Sequence, residues 1–104
     1  MLSIDWQKQS GWQKPKIVPY GPFEIATSAT SLHYGISSHD GISVLQNSKT
    51  GKLQAFRAQE HLKHFNDSSV HLDMPAFCEN ELLQCIKQLV QLDKKWLDVV
   101  AEPD

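Results

Sequence analysis

Five histidines and two cysteines are the side chains here best suited to chemistry, and their spacing limits what they can do. His61 and His64 stand three apart, with His71 seven further on, so a helix would let all three share a face. Zinc asks for four defined ligands, and neither an HExxH nor a CxxC pattern accompanies them. No metal is assigned, and solvated helix histidines are the expectation. Cys78 and Cys85 lie seven apart, which on one helix separates their Cα atoms by ~10 Å, beyond disulfide reach. Reduced, buried, inert thiols are expected; nothing local supports pairing either thiol with a histidine as a nucleophile. Gly35, Gly41 and Gly51 fit neither a phosphate loop nor a serine elbow. Glu79 and Glu81 read as partners of a helix dipole rather than as an acid–base pair. No catalytic residue is assigned.

The elements that would position these residues follow from punctuation and periodicity. Gly11, Pro15, Pro19, Gly21 and Pro22 interrupt residues 1–31 too often for a helix, so this stretch reads as an irregular or extended arm. Trp6, Trp12, Tyr20 and Phe23 would anchor it against a body by packing. Residues 32–57 hold a short turn and then a β-hairpin over 42–57. Its polar turn spans Asn47–Gly51, and Gly51 is free to take positive φ. A helix is predicted over 59–72, with Leu62, Phe65, Ser69 and Leu72 on one face, and Pro75 ends that path. A second, amphipathic helix is predicted over 79–97, carrying Leu82, Ile86, Leu89, Val90, Trp96 and Leu97. Cys78 stands where a capping Ser, Thr or Asp is wanted, so that helix starts poorly capped. Residues 98–104 read as a tail, frayed after Val100.

The totals agree with one domain of mixed α/β (α+β) class and no more. The chain has 104 residues, 40% of them hydrophobic and 21% charged, which is the composition of a folded domain. A formal charge of -2 argues against nucleic acid, which needs a basic stripe to displace counterions from phosphates. Arg57 is the sole arginine beside nine lysines, so bidentate anion contacts are scarce. Mean hydropathy is -0.39, and no run approaches the ~20 apolar residues of a membrane span. The opening residues form neither a secretory signal nor an arginine-rich presequence. A cytoplasmic address is the expectation, mitochondrial if a longer N-terminus precedes Met1.

Several strings go further than composition. ML-x-x-x-W followed by GW-x-KP-x-I, from Met1 to Ile17, resembles the early segment of animal branched-chain amino-acid aminotransferases. SLHYG at Ser31–Gly35, followed six residues later by Gly41, does the same. So do MPAF at Met74–Phe77 and ELLQCIKQLVQLDKKWL from Glu81 to Leu97. The resemblance runs in order along essentially the whole chain. It implies part of the small N-terminal domain of a fold-type IV, pyridoxal-phosphate-dependent transaminase. Such enzymes interconvert leucine, isoleucine and valine with their 2-oxo acids, using 2-oxoglutarate, and work as dimers with the cofactor between two domains.

The resemblance also assigns roles residue by residue. Tyr34 matches a substrate-pocket tyrosine. His39 stands where the family has a pocket phenylalanine, Asp40 where it has glutamate, and Gly41 is kept. An imidazole in place of phenyl makes an apolar wall polar, which should weaken selection for branched aliphatic chains. His64 occupies the position of the arginine that grips the cofactor phosphate, whereas Arg57 matches the end of the second hairpin strand. The Schiff-base lysine belongs to the family's larger domain, so none of the nine lysines corresponds to it. The scaffold residues Trp6, Trp12, Leu82, Ile86, Leu89 and Trp96 are kept, while chemical positions are changed or absent.

The expectation is therefore a degenerate or truncated segment, inactive alone and not binding pyridoxal phosphate by itself. The alternatives are a docking protein that associates with itself or with a full-length aminotransferase subunit, and a fragment of a longer chain. Uncovered apolar surface and an unpaired strand edge should make it marginally stable or self-associating.

Overall fold

In the computed structural model residues 1–97, 99 and 100 are described. The fold is a small mixed α/β arrangement of short antiparallel strand pairs and three α-helices. In the arm, β1 (Leu2–Ser3) pairs with β4 (Lys16–Ile17), and β2 (Trp6–Gln7) pairs with β3 (Gly11–Trp12). These are nested two-residue ladders, closed by backbone bonds from Gln13 N to Asp5 O at 2.7 Å and from Val18 N to Met1 O at 2.9 Å. The arm's aromatic residues pack less than their size suggests. Trp6 and Trp12 stay 42% and 45% exposed, and Tyr20 is 94% exposed. Trp12 is tethered by its indole N–H, which donates to the Ala76 carbonyl at 2.8 Å. A single turn of helix, α1 (Thr30–His33), follows.

The hairpin consists of β5 (Val44–Asn47) and β6 (Leu53–Ala55) in antiparallel register, Leu45 opposite Gln54. Its turn is built by one side chain. Buried Asn47 accepts the Lys49 and Thr50 amides on Oδ1 at 2.8 and 3.1 Å, an Asx turn. Gly51 then takes φ +68°, and its amide returns to the Asn47 carbonyl at 2.9 Å. On the other side of β5 the backbone of β7 (Val99–Val100) pairs in parallel, Gln46 opposite Val99. Of the tail segment 98–104, residue 98 and residues 101–104 lie outside the described residues.

The helix expected at 59–72 is α2 (Ala58–His71). Leu62 and Ser69 are its buried residues and Phe65 is half-buried, but Leu72, expected on the same face, is 43% exposed. Leu72 has already left the helix. Asp73 takes φ +61°, with bonds from Asp73 N to Val70 O and Met74 N to Ser69 O, both 2.9 Å, and this αL turn redirects the chain.

The amphipathic helix is shorter than its periodicity suggests. α3 (Glu79–Leu92) ends at Asp93, and a separate 3₁₀ turn covers Lys94–Trp96. An aspartate at a helix C-terminus opposes the macrodipole and competes for backbone amides, which accounts for the break. Past it, Trp96 is 76% exposed and rests against the Lys95 ammonium instead of the helix's apolar face. Cys78 gives α3 no side-chain cap. It is also exposed rather than buried, and Cys85 is half-buried; both are free thiols.

α2 and α3 pack on one another, Phe65 meeting Phe77 with ring centroids 5.5 Å apart. Asn66 fastens the link between them, its amide bonding both the N–H and the C=O of Phe77 at 3.1 and 2.9 Å. Leu62 is the one buried apolar residue among those described. The accessible surface of 8589 Å² compares with roughly 5,900 Å² for a compact protein of this mass. The radius of gyration, 15.9 Å, likewise exceeds the about 13 Å expected.

Candidate functional site

The loop between α1 and β5 is held to α2 at two points. The Ser69 hydroxyl donates back to the Phe65 carbonyl at 2.9 Å, so its bond with Ser38, 2.8 Å long, must be donated by Ser38. Two residues on, Asp40 spans two successive positions of the helix. Its Oδ1 lies 3.0 Å from His61 Nδ1 and its Oδ2 lies 2.8 Å from His64 Nδ1. The Gly41 amide donates to Oδ1 at 2.8 Å. A helix places residues i and i+3 side by side, so one carboxylate facing its first two turns can reach both rings.

Burial grades across this cluster. The Asp40 side chain is 14% exposed, His61 35% and His64 75%. The hydrogen bond from His64 holds the Asp40 carboxyl below its ordinary value of 3.8, against the opposing effect of desolvation; the bond from His61, the Gly41 amide and the His61 charge add to the lowering. The helix histidines expected to be merely solvated are thus two of them bound to one carboxylate, while His71 takes no part.

The cluster opens into a hollow of about 540 Å³ lined by His39, Asp40, Gly41, Arg57, Glu60, His61 and His64. Of the site residues predicted from sequence, His39, Gly41 and His64 come together there. Tyr34 does not line it; it caps the end of α1, 77% exposed. Arg57, placed by sequence at the end of the hairpin and apart from the phosphate position, borders the same hollow. It precedes α2 with φ +51°, the left-handed region. Sequence reasoning missed the roles of Asp40 and His61, because a carboxylate twenty-one residues from its imidazole carries no local signal.

Two further hollows flank the helices. One of about 740 Å³ lies among the arm, α2 and α3, with Trp12, Phe65, Met74, Phe77 and Cys85 in its walls. The other, about 530 Å³, separates the hairpin from Ile86 and Val90 of α3. Among the described residues no group of three or more His, Cys, Asp or Glu could hold a metal ion, and no helix is long and apolar enough to cross a membrane.

No family model matches the chain. Over 93% of its length it is 43% identical to a probable branched-chain-amino-acid aminotransferase of Staphylococcus aureus (strain MRSA252). It is 38% identical to the corresponding protein of Staphylococcus epidermidis (strain ATCC 12228 / FDA PCI 1200) and 35% identical to the cytosolic branched-chain-amino-acid aminotransferase of Mus musculus. The similarity carried by the strings at Met1–Ile17, Ser31–Gly35 and Met74–Leu97 therefore extends to curated relatives. The chain spans about a quarter of their length, 26% in the first case and 25% in the mouse enzyme.

Proposed function

We propose that these residues are part of the small domain of a pyridoxal-phosphate-dependent, fold-type IV branched-chain-amino-acid aminotransferase, and that their share of the work is scaffold and cofactor-phosphate corner. The observation that carries this reading is the 43% identity over 93% of the chain, joined to so small a share of the relative. The convergence of His39, Gly41 and His64 on one hollow supports it.

The donor set fits a phosphate monoester. Three imidazoles, those of His39, His61 and His64, and the Arg57 guanidinium border one hollow, with the Glu60 carboxylate as an opposing charge. Both Asp40 oxygens face imidazole nitrogens, so that negative charge is spent on the rings rather than directed at an incoming anion. His64 would hold the phosphate, with Arg57 beside it. When bound, pyridoxal phosphate supplies the electron sink for removing the substrate's α-proton. The resemblance assigns His39 and Gly41 to the substrate pocket, where a polar imidazole would replace an apolar wall.

A polypeptide limited to these residues should not transaminate. Its nine lysines match none of the family's cofactor-bonding positions, and the resemblance places that lysine in the larger domain. Incubation with pyridoxal phosphate, leucine and 2-oxoglutarate should give no glutamate and no cofactor–lysine absorbance; turnover by the purified chain overturns the reading. A cytosolic address is proposed alongside, resting on the name of the mouse relative.

A second reading, association with another copy or with a full-length aminotransferase, draws on the surface. The exposed area exceeds that of a compact protein by roughly 2,700 Å², more than a standard interface buries. Co-purification with an intact enzyme supports it; a monomer indifferent to the enzyme counts against it.

A further inference from the structure

We propose that Asp40 is a positioning residue that fixes the tautomers of His61 and His64, making the Nε2 atoms of these rings the face that α2 offers to a phosphate. The proposal rests on the cofactor-corner reading above and adds to it the residue that makes a histidine serve where an arginine is missing.

The argument begins with geometry. A carboxylate only accepts, so each Nδ1 within 3.0 Å of it must carry a proton. Both rings are thereby held in the Nδ1–H form, with Nε2 on the far side of the ring. No Nε2 bond to either ring occurs among the described residues. Nε2 is then the one ring nitrogen left to meet an anion, accepting from a phosphate P–O–H when the ring is neutral and donating when it is charged. Without Asp40 each ring would rotate freely, and neither nitrogen would be committed to the hollow.

The surroundings favour an anion over a metal ion. Arg57 borders the same hollow, and among the described residues no group of three or more His, Cys, Asp or Glu is arranged to hold a metal ion. Glu60 in the first turn of α2 opposes an anion, and His39 stands on the loop side. On its other flank His64 borders a second hollow of about 520 Å³ with Asp67 and His71. These neighbours are common to every variant below, so they do not decide the outcome.

The sign of one substitution separates this proposal from simple electrostatics. Removing a carboxylate beside an anion site should strengthen anion binding if charge alone mattered. If Asp40 acts by positioning, Asp40→Ala should instead weaken inorganic phosphate binding by the 104-residue chain, on the order of tenfold. The measurement is a ¹⁵N-histidine NMR spectrum of the purified chain, titrated with inorganic phosphate. Wild type should show His61 and His64 protonated on Nδ1 and phosphate-dependent shifts of the His64 ring. Asp40→Ala should lose the fixed tautomers, and Asp40→Glu should restore them together with the phosphate response. Should Asp40→Ala fail to fold, Asp40→Asn carries the tautomer part of the test, since its amide oxygen accepts from one ring while its NH2 donates to the other, which must then take the Nε2–H form. Unchanged tautomers in these variants, or phosphate binding that strengthens in Asp40→Ala, overturn Asp40's role and leave the cofactor reading standing. A wild-type chain with fixed tautomers and no phosphate response overturns both.

Discussion

At the scale of single residues, what matters is how a few polar groups share protons. Asp40 is the clearest case, because its carboxyl is held below its ordinary value chiefly by the His64 bond. A carboxyl lowered on folding stabilises the folded chain above its unfolded value, and that contribution is lost as pH falls through the folded one. Wild type and Asp40→Asn should therefore differ in urea stability at pH 7 and converge as acid carries the pH under the ordinary carboxyl value and through the lowered folded one. A difference that persists unchanged into that acid range contradicts the assignment. The His64 position makes a second prediction. His64→Arg supplies a fixed fork of donors in place of one ring nitrogen. Inorganic phosphate should then bind this chain roughly tenfold more tightly by calorimetry, the low end of a charge-assisted contact because the side chain at this position is 75% exposed. No gain would remove His64 from the phosphate corner.

At the scale of elements, turns carry as much information as helices. Asn47 closes the hairpin by accepting two amides from a buried position, so Asn47→Ala leaves both without that acceptor. A loss of about 1–3 kcal/mol in unfolding free energy is expected, read by denaturant titration; a change under half a kcal/mol would mean water replaces the side chain freely. Asp73 makes the opposite case. It adopts φ +61° at the end of α2, where glycine is favoured. Asp73→Gly should raise stability by about 0.5–1 kcal/mol, seen as a higher melting temperature, and a lower one would indicate that the aspartate makes a contact of its own. The two turns were unequally legible in sequence. Gly51 announced the first through its freedom at positive φ, while Asp73 gave no such sign.

At the scale of the whole molecule, burial is the deciding quantity. One buried leucine among the described residues cannot hold a domain firmly, and hollows of about 740 and 530 Å³ lie beside both helices. Conformational entropy is paid along the full chain, whereas apolar burial is gained over a small part of it. The chain is accordingly expected to melt at low temperature and to associate as concentration rises. Sedimentation from micromolar to hundreds of micromolar tests this. A single monomeric species with a sharp, concentration-independent melt would show the exposed surface to be tolerated without a partner.

The sequence by itself determined the local elements: a proline-broken arm, a glycine-closed hairpin and an amphipathic helix. Each depends on residues a few positions apart, and the ordered strings likewise pointed to the aminotransferase resemblance. It did not reveal that α3 stops at Leu92, that Trp96 turns outward, or that Tyr34 stands off from His39 and His64. Those outcomes depend on what each side chain meets across the fold. The joining of Asp40 to His61 and His64, and the arrival of Arg57 at the same hollow, were decided only by tertiary structure. Hydrogen bonds between residues twenty or more positions apart form only once the loop has been laid against the helix, and no periodicity in the chain encodes that contact.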